Sequence, residues 1–248
     1  MNKRKKRLIV WLTPRSASKL ICSILLISAL ICIYSLERPI WKTWTEWSLP
    51  LTGQIIVLDA GHGGYDGGAV SKGGLLEKNI NLDISFYLRD YLQEAGALVY
   101  MTREIDTDLA NPDTNKISKR KTEDLMKRVE IISEVSANLF ISIHLNSMNS
   151  PQWRGAQTFY TRNHEDNEYL ANRIQDEFKT NLNNTDREAK VSEPTLYLLK
   201  MSKIPSVLIE AGFLSNEEES TLLKNNKYQM KIANCIYQGI VNYYSSKK

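Results

Sequence analysis

Two histidines and two glutamates carry the chemistry open to this sequence. His62, His144 and Glu210 each close a short apolar run, Ile55-Ile56-Val57-Leu58, Leu139-Phe140-Ile141-Ser142-Ile143 and Ser206-Val207-Leu208-Ile209, while Glu77 opens a helical stretch after the first. Two imidazoles and a carboxylate are the donor set of a catalytic zinc site, which keeps its fourth position for water; a structural zinc site takes four protein ligands, often thiolates. A second carboxylate beside such a metal suits a general base. His62, Glu77 and His144 are therefore candidate ligands for one zinc ion per chain, and Glu210 is the candidate base.

Each residue taken singly has a plainer reading. A histidine after a strand is often a hydrogen-bonded turn residue, and Glu77 at a helix start simply favours the dipole. Glu210, embedded in Val207-Leu208-Ile209-Glu210-Ala211-Gly212, resists such treatment, because burial of a carboxylate without a partner is expensive. His164, in Arg162-Asn163-His164-Glu165-Asp166, is a rival ligand, but its polar surroundings read as solvated surface. The ligand spacing matches no compact signature such as H-E-x-x-H, and the glycines at 61, 63 and 67 miss the dinucleotide fingerprint, with no Walker lysine following.

Positioning these groups requires an α/β domain with a largely parallel sheet, since short apolar runs alternate with longer stretches of helical period. In open α/β sheets the carboxyl edge of the strands is where ligands bind, and three of the four residues fall there. Ile80, Ile84, Leu88, Tyr91, Leu92 and Ala95 share one face of the helix begun by Glu77, and Ala97–Thr102 reads as the next strand. Residues 106–123 read as a loop around Asn111-Pro112-Asp113, with a helix marked afterwards by Leu125, Val129 and Ile132. Residues 156–160 form a strand, residues 181–192 a polar mobile loop, and Ser215 with Glu218 a capping box before the closing helices.

The 248 residues suffice for one globular domain plus an appendage. The net charge of +4 is concentrated: Lys3, Arg4, Lys5, Lys6, Arg7, Arg15 and Lys19 lie in the first nineteen residues, leaving 25 basic against 28 acidic residues in the rest. That is a basic tail on a slightly acidic domain, with no nucleic-acid footprint expected. It runs into Leu20–Leu36, an uncharged and mostly apolar segment, so export is expected, and an uncleaved anchor is favoured over a cleaved signal. The division is thus a basic cytoplasmic N-terminus (1–19), a transmembrane anchor or signal segment (20–36), a linker (37–53) and a catalytic domain (54–244). Trp41, Trp44 and Trp47 suit a membrane–water interface or a linker packed on the domain. Cys22 and Cys32 lie within the apolar segment and Cys235 stands alone, so the exported part has no internal disulfide.

From residue 54 to 244 the chain resembles the zinc-dependent N-acetylmuramoyl-L-alanine amidases, on Asp59-Ala60-Gly61-His62-Gly63-Gly64, Glu77-Lys78-Asn79, Ser142-Ile143-His144-Leu145-Asn146 and Ile209-Glu210-Ala211-Gly212-Phe213-Leu214-Ser215-Asn216. The resemblance implies one zinc on His62, Glu77 and His144, Glu210 as acid/base, and hydrolysis of the amide between N-acetylmuramic acid and L-alanine in peptidoglycan. Asn146, Arg103 and Arg128 are candidates for holding the glycopeptide. Ser48-Leu49-Pro50-Leu51 and the long loop before Lys121-Thr122-Glu123-Asp124-Leu125 are similar to the germination-specific branch of that family. That branch implies work on spore cortex toward muramic-δ-lactam, in the space between forespore and mother-cell membranes, with an accessory lipoprotein and a downstream polysaccharide deacetylase as partners. A vegetative wall amidase, or a peptidoglycan-binding module without catalysis, is the alternative.

Overall fold

The computed structural model describes residues 13–46, 49–192 and 196–247. Most of the basic tail and the rings of Trp41, Trp44 and Trp47 lie outside the residues described. Two compact units emerge, Met1–Ser48 and Leu49–Lys248. The first holds α1 (Pro14–Glu46), in which Pro14–Tyr34 has a mean hydropathy of 2.2 and is long and apolar enough to cross a membrane; the helix continues past Leu36.

The second unit is an α/β domain around six strands: β1 (Ile55–Ala60), β2 (Leu98–Met101), β3 (Leu139–Asn146), β4 (Gln157–Tyr160), β5 (Lys190–Val191) and β6 (Ser206–Phe213). They lie in the order β2-β1-β3-β6-β4-β5. The first four in that order are mutually parallel, β4 runs antiparallel to β6, and β5 is parallel to β4. The sheet is mostly parallel, as expected, with one reversed margin.

Strand side chains alternate between faces, so an unbroken apolar run means both faces are covered. Ile56, Leu58, Ile141, Ile143, Val207 and Ile209 pack into the larger core with α2 (Glu77–Glu94), α4 (Asn167–Glu177) and α7 (Asn226–Ser245). Val57, Phe140 and Leu208, one residue out of step, pack on the other face with Ile132 of α3 (Ile117–Glu134) and Leu198 and Leu199 of α5 (Tyr197–Met201). Burying a side chain such as Phe140 contributes roughly 1.5–3 kcal/mol each time. The chain enters this unit at the amino edge of the sheet: Leu51 is fully buried, and its N–H donates to Ala95 O just past α2.

Three expectations need correction. Helix α3 starts at Ile117, inside the stretch read as loop, because Arg120 and Glu123 of its first turns hold the polar segment before them: Arg120 donates to Thr114 O and Asp108, and Glu123 accepts from Thr114 and from the Asn111 N–H. The segment 181–192 contains β5, whose pairing with β4 gives it a defined place. The capping box at Ser215 and Glu218 does not form. Asn216 caps α6 (Glu217–Leu223) by accepting from Glu219 N–H at 2.9 Å, while Ser215 Oγ accepts from Met148 N–H.

Candidate metal centre

The parallel strands bring the chosen residues to one edge. His144 sits opposite Glu210 in the β3–β6 register, and the loop leaving β1 carries His62. Glu77, at the first position of α2, reaches back beneath both imidazoles. Its Oε1 lies 3.2 Å from His62 Nε2 and 3.1 Å from His144 Nδ1, and the three donor atoms fall within 4.8 Å of one another. An ion with ~2.0–2.1 Å arms in tetrahedral geometry sets donors about 3.3 Å apart, so this donor set fits zinc in chemistry, and its two Glu77 contacts match that spacing. Among the described residues this is the one group of at least three His, Cys, Asp and Glu residues that could hold a metal. His164 lies elsewhere, its Nδ1 accepting from the Asp166 N–H at 3.2 Å.

The carboxylate of Glu77 is fixed before any ligand arrives. Oε1 accepts from Leu145 N–H at 3.0 Å and Asn81 Nδ2 at 3.2 Å, and Oε2 accepts from Ala69 N–H at 2.8 Å. Burial works to raise its pKa, but hydrogen bonds from the two histidines outweigh it and hold the carboxyl below the usual range. His62 adopts a left-handed backbone, φ 63°, uncommon for a residue with a Cβ. Its carbonyl is held there by Arg128 Nη2 at 2.7 Å, and its Nδ1 by Asp66 at 2.9 Å. Desolvation alone would lower the imidazole pKa; Asp66 and Glu77 carry it instead to about 9.

Asp66 is a candidate positioning group that sequence reasoning missed. A carboxylate on the far nitrogen orients a ligating imidazole and sharpens its basicity. The signal was its place four residues after His62 in the same glycine-rich turn. At Gly61 that turn passes so close to His144 that a Cβ would sit 2.3 Å from its ring.

Glu210 stands beside the triad without joining it. Its Oε2 is buried with no hydrogen-bond partner, and burial pushes its pKa up to about 7, with Glu77 adding to the rise and His144 opposing it. A carboxyl poised there exchanges protons near neutrality. A cavity of about 200 Å³ opens beside His62 and His144, walled by Lys121 and Leu125 of α3 and Leu198 of α5.

Asn146 is half-buried at the same edge, two residues past His144. Arg103 and Arg128 lie below the turn, 3% and 1% exposed. Arg103 donates to the carbonyls of Ala60, Gly61, Lys78 and Ile105. Arg128 pairs with Asp59 at 2.6 Å and Asp124 at 2.9 Å. Asp59, itself fully buried, also accepts from Ser142 and Thr102. Burial works to raise the Asp59 pKa, yet the Arg128 guanidinium prevails and lowers it. A carboxyl depressed by folding stabilises above its unfolded pKa of about 3.9 and loses that contribution as pH falls toward its folded value. Asp59→Asn should therefore flatten the dependence of unfolding free energy on pH below about 4; a curve as steep as the parent's would show that acid unfolding is governed elsewhere.

An α/β sheet with two histidines and a carboxylate at its carboxyl edge, and a buried carboxylate oxygen without a partner beside them, has the donor set that metal-dependent hydrolases use. The chain belongs to the N-acetylmuramoyl-L-alanine amidase family, whose model matches residues 56–242. It is 54% identical over 205 residues to the germination-specific N-acetylmuramoyl-L-alanine amidase of Bacillus subtilis, covering 83% of this chain and 86% of that one. The structure of the CwlD amidase from Clostridioides difficile in complex with the GerS lipoprotein superposes with a TM-score of 0.76 at 46% identity, over 78% of this chain and 100% of that one. The catalytic domain of CwlV from Bacillus (Paenibacillus) polymyxa gives a TM-score of 0.67 at 30% identity, over 77% and 98%.

Proposed function

We propose that this chain is a zinc-dependent N-acetylmuramoyl-L-alanine amidase that cuts the amide between N-acetylmuramic acid and L-alanine in spore-cortex peptidoglycan. The observation that carries the chemistry is the convergence of His62, His144 and Glu77 beside the buried, partnerless Oε2 of Glu210. The cortex assignment rests on the likeness to the germination-specific enzyme. An apolar helix ahead of the domain supports action outside the cytoplasm, at a membrane. The partnership of CwlD with a lipoprotein supports an accessory lipoprotein here as well. A polysaccharide deacetylase acting next would turn the stripped sugar toward muramic-δ-lactam.

In this reading His62, Glu77 and His144 would hold one zinc ion, which would supply Lewis acidity toward an amide carbonyl and toward a water molecule. Glu210 takes a proton from water on one oxygen and returns it to the departing amine nitrogen. Asp66 keeps the His62 ring turned toward the centre, and Arg103 and Arg128 hold the turn that carries it. We assign these two arginines to positioning, since their donors are engaged within the protein, and keep Asn146 as the candidate for direct contact with the glycopeptide.

The deciding experiment incubates the zinc-loaded chain with purified cortex and with vegetative peptidoglycan, then identifies the new ends by mass spectrometry. Intact stem peptides with a free L-alanine amine, released faster from cortex, are expected. Release of free D-alanine would refute the amidase, and faster cleavage of vegetative wall would refute the cortex role. Gly61→Ala should lower zinc affinity about 10- to 100-fold, the usual loss when a ligand's support is disturbed, because its Cβ would displace the His144 ring. Chelator competition measures this, and unchanged affinity would remove His144 from the ligand set.

A further inference from the structure

Past Glu210 along the carboxyl edge lies a second, basic groove that the metal centre does not use. Because β4 runs opposite to β6, with Gln157 facing Glu210, the residues entering β4 come to the edge where the donors stand. There Trp153, Arg154 and the segment Asn183–Arg187, in which exposed Asp186 is the one carboxylate against two arginines, line an open groove of about 590 Å³. Arg187 is its built element. Its guanidinium carbon lies 5.3 Å from the centroid of Trp153 and 5.3 Å from that of Phe213, stacked on two rings, while Nη2 donates to Arg154 O at 3.3 Å. Stacking of this kind presents a guanidinium with its planar fork preorganised. Among the described residues no carboxylate lies within ion-pair distance of Arg187, whereas Arg154 has Glu218 at 3.7 Å.

The groove is tied to the end of β6. Glu219, buried, accepts from the N–H groups of Gly155 and Phe213 at 3.0 and 2.9 Å, joining the entry of β4 to the strand that carries Glu210. Gly155, at φ 90°, lets the 183–187 segment close in, since a Cβ there would meet Asn184 O at 2.5 Å. Phe213 is three residues beyond Glu210, about 10 Å along a strand, a distance that an extended peptide spans in about three residues.

We propose that the Trp153–Arg187 groove is the subsite for a carboxylate of the peptide that leaves with the amine, two or three residues beyond the scissile amide. This rests on the amidase reading, which puts a peptide on the amine side of the cut. The choice of a peptide carboxylate over a sugar follows from Arg187: a stacked, forked cation matches a carboxylate bidentately, which a neutral saccharide cannot return.

The test uses the full-length chain in detergent, a muramoyl peptide with a free carboxylate at its second or third residue, the matching carboxamide, and the corresponding free peptides. By calorimetry the acidic peptide should bind at least about tenfold more tightly than its carboxamide. Arg187→Gln should abolish that preference and Arg187→Lys, which keeps charge but not the fork, should retain part of it. In turnover, the loss of kcat/KM in Arg187→Gln should be at least about tenfold greater on the acid than on the carboxamide, a difference that general misfolding would not produce. Equal binding of acid and carboxamide, or binding of a peptide-free glycan that depends on Trp153, would overturn the subsite. Should the chain bind acidic peptide through Arg187 yet cleave neither substrate, the subsite stands and the amidase reading falls; should it cleave both at equal kcat/KM, the amidase reading stands and the subsite falls.

Discussion

Replacing Glu210 by alanine is expected to lower kcat on a muramoyl peptide by about 10²- to 10⁴-fold, the usual contribution of a positioned acid/base, and to change zinc affinity little. Glu77, the other carboxylate at the centre, is bound by both histidines and by two backbone N–H groups, so it has no capacity left to shuttle protons. Glu210→Gln separates shape from proton transfer and should be as inactive as the alanine variant. Both should match or exceed the parent in thermal stability at pH 8, because removing a buried carboxyl whose pKa burial raises relieves desolvation. Single-turnover rates, a zinc titration and a melting curve report the three quantities. Unimpaired hydrolysis by either variant would sink the proposed role.

Arg128→Met should destabilise the fold by roughly 3–5 kcal/mol, the range for breaking a buried pair from one side. Methionine fills much of the volume, but Asp59 would be left fully buried with its strongest partner gone and Asp124 without its guanidinium. Activity should fall as well, since Arg128 also holds the His62 carbonyl. Asp59→Asn in the same chain should restore a large part of the lost stability without restoring all of the activity. Denaturant titration measures the first and turnover the second. A loss under about 1 kcal/mol in the single variant would mean that the network beneath the site is not what holds it.

The candidate site was legible where its members lie at ends of strong apolar runs. His62, His144 and Glu210 could be located because a parallel sheet aligns such ends, and Glu77 because α2 begins there. What escaped was set by partners distant in the chain. Arg128 looks like any helix arginine until Asp59, 69 residues away, is known to be buried beside it. Glu219 is one of three successive glutamates, and nothing local distinguishes it; Gly155 and Phe213 draw its carboxyl inward, so Asn216 caps the helix. The stack of Arg187 on Trp153 joins distant segments with no periodicity to announce it. The reversal of β4 was equally silent, because alternation along a strand carries no sign of its direction.

The entry of the chain at the amino edge, with Leu51 buried and bonded to Ala95 O, has a consequence for substrate traffic. The donors stand at the opposite edge, so β1 alone interposes a standoff of about 20 Å at ~3.3 Å per residue. On the proposed function, the scissile amide is met at the edge opposite the buried Leu51. The stem peptides released there leave the glycan strand itself uncut.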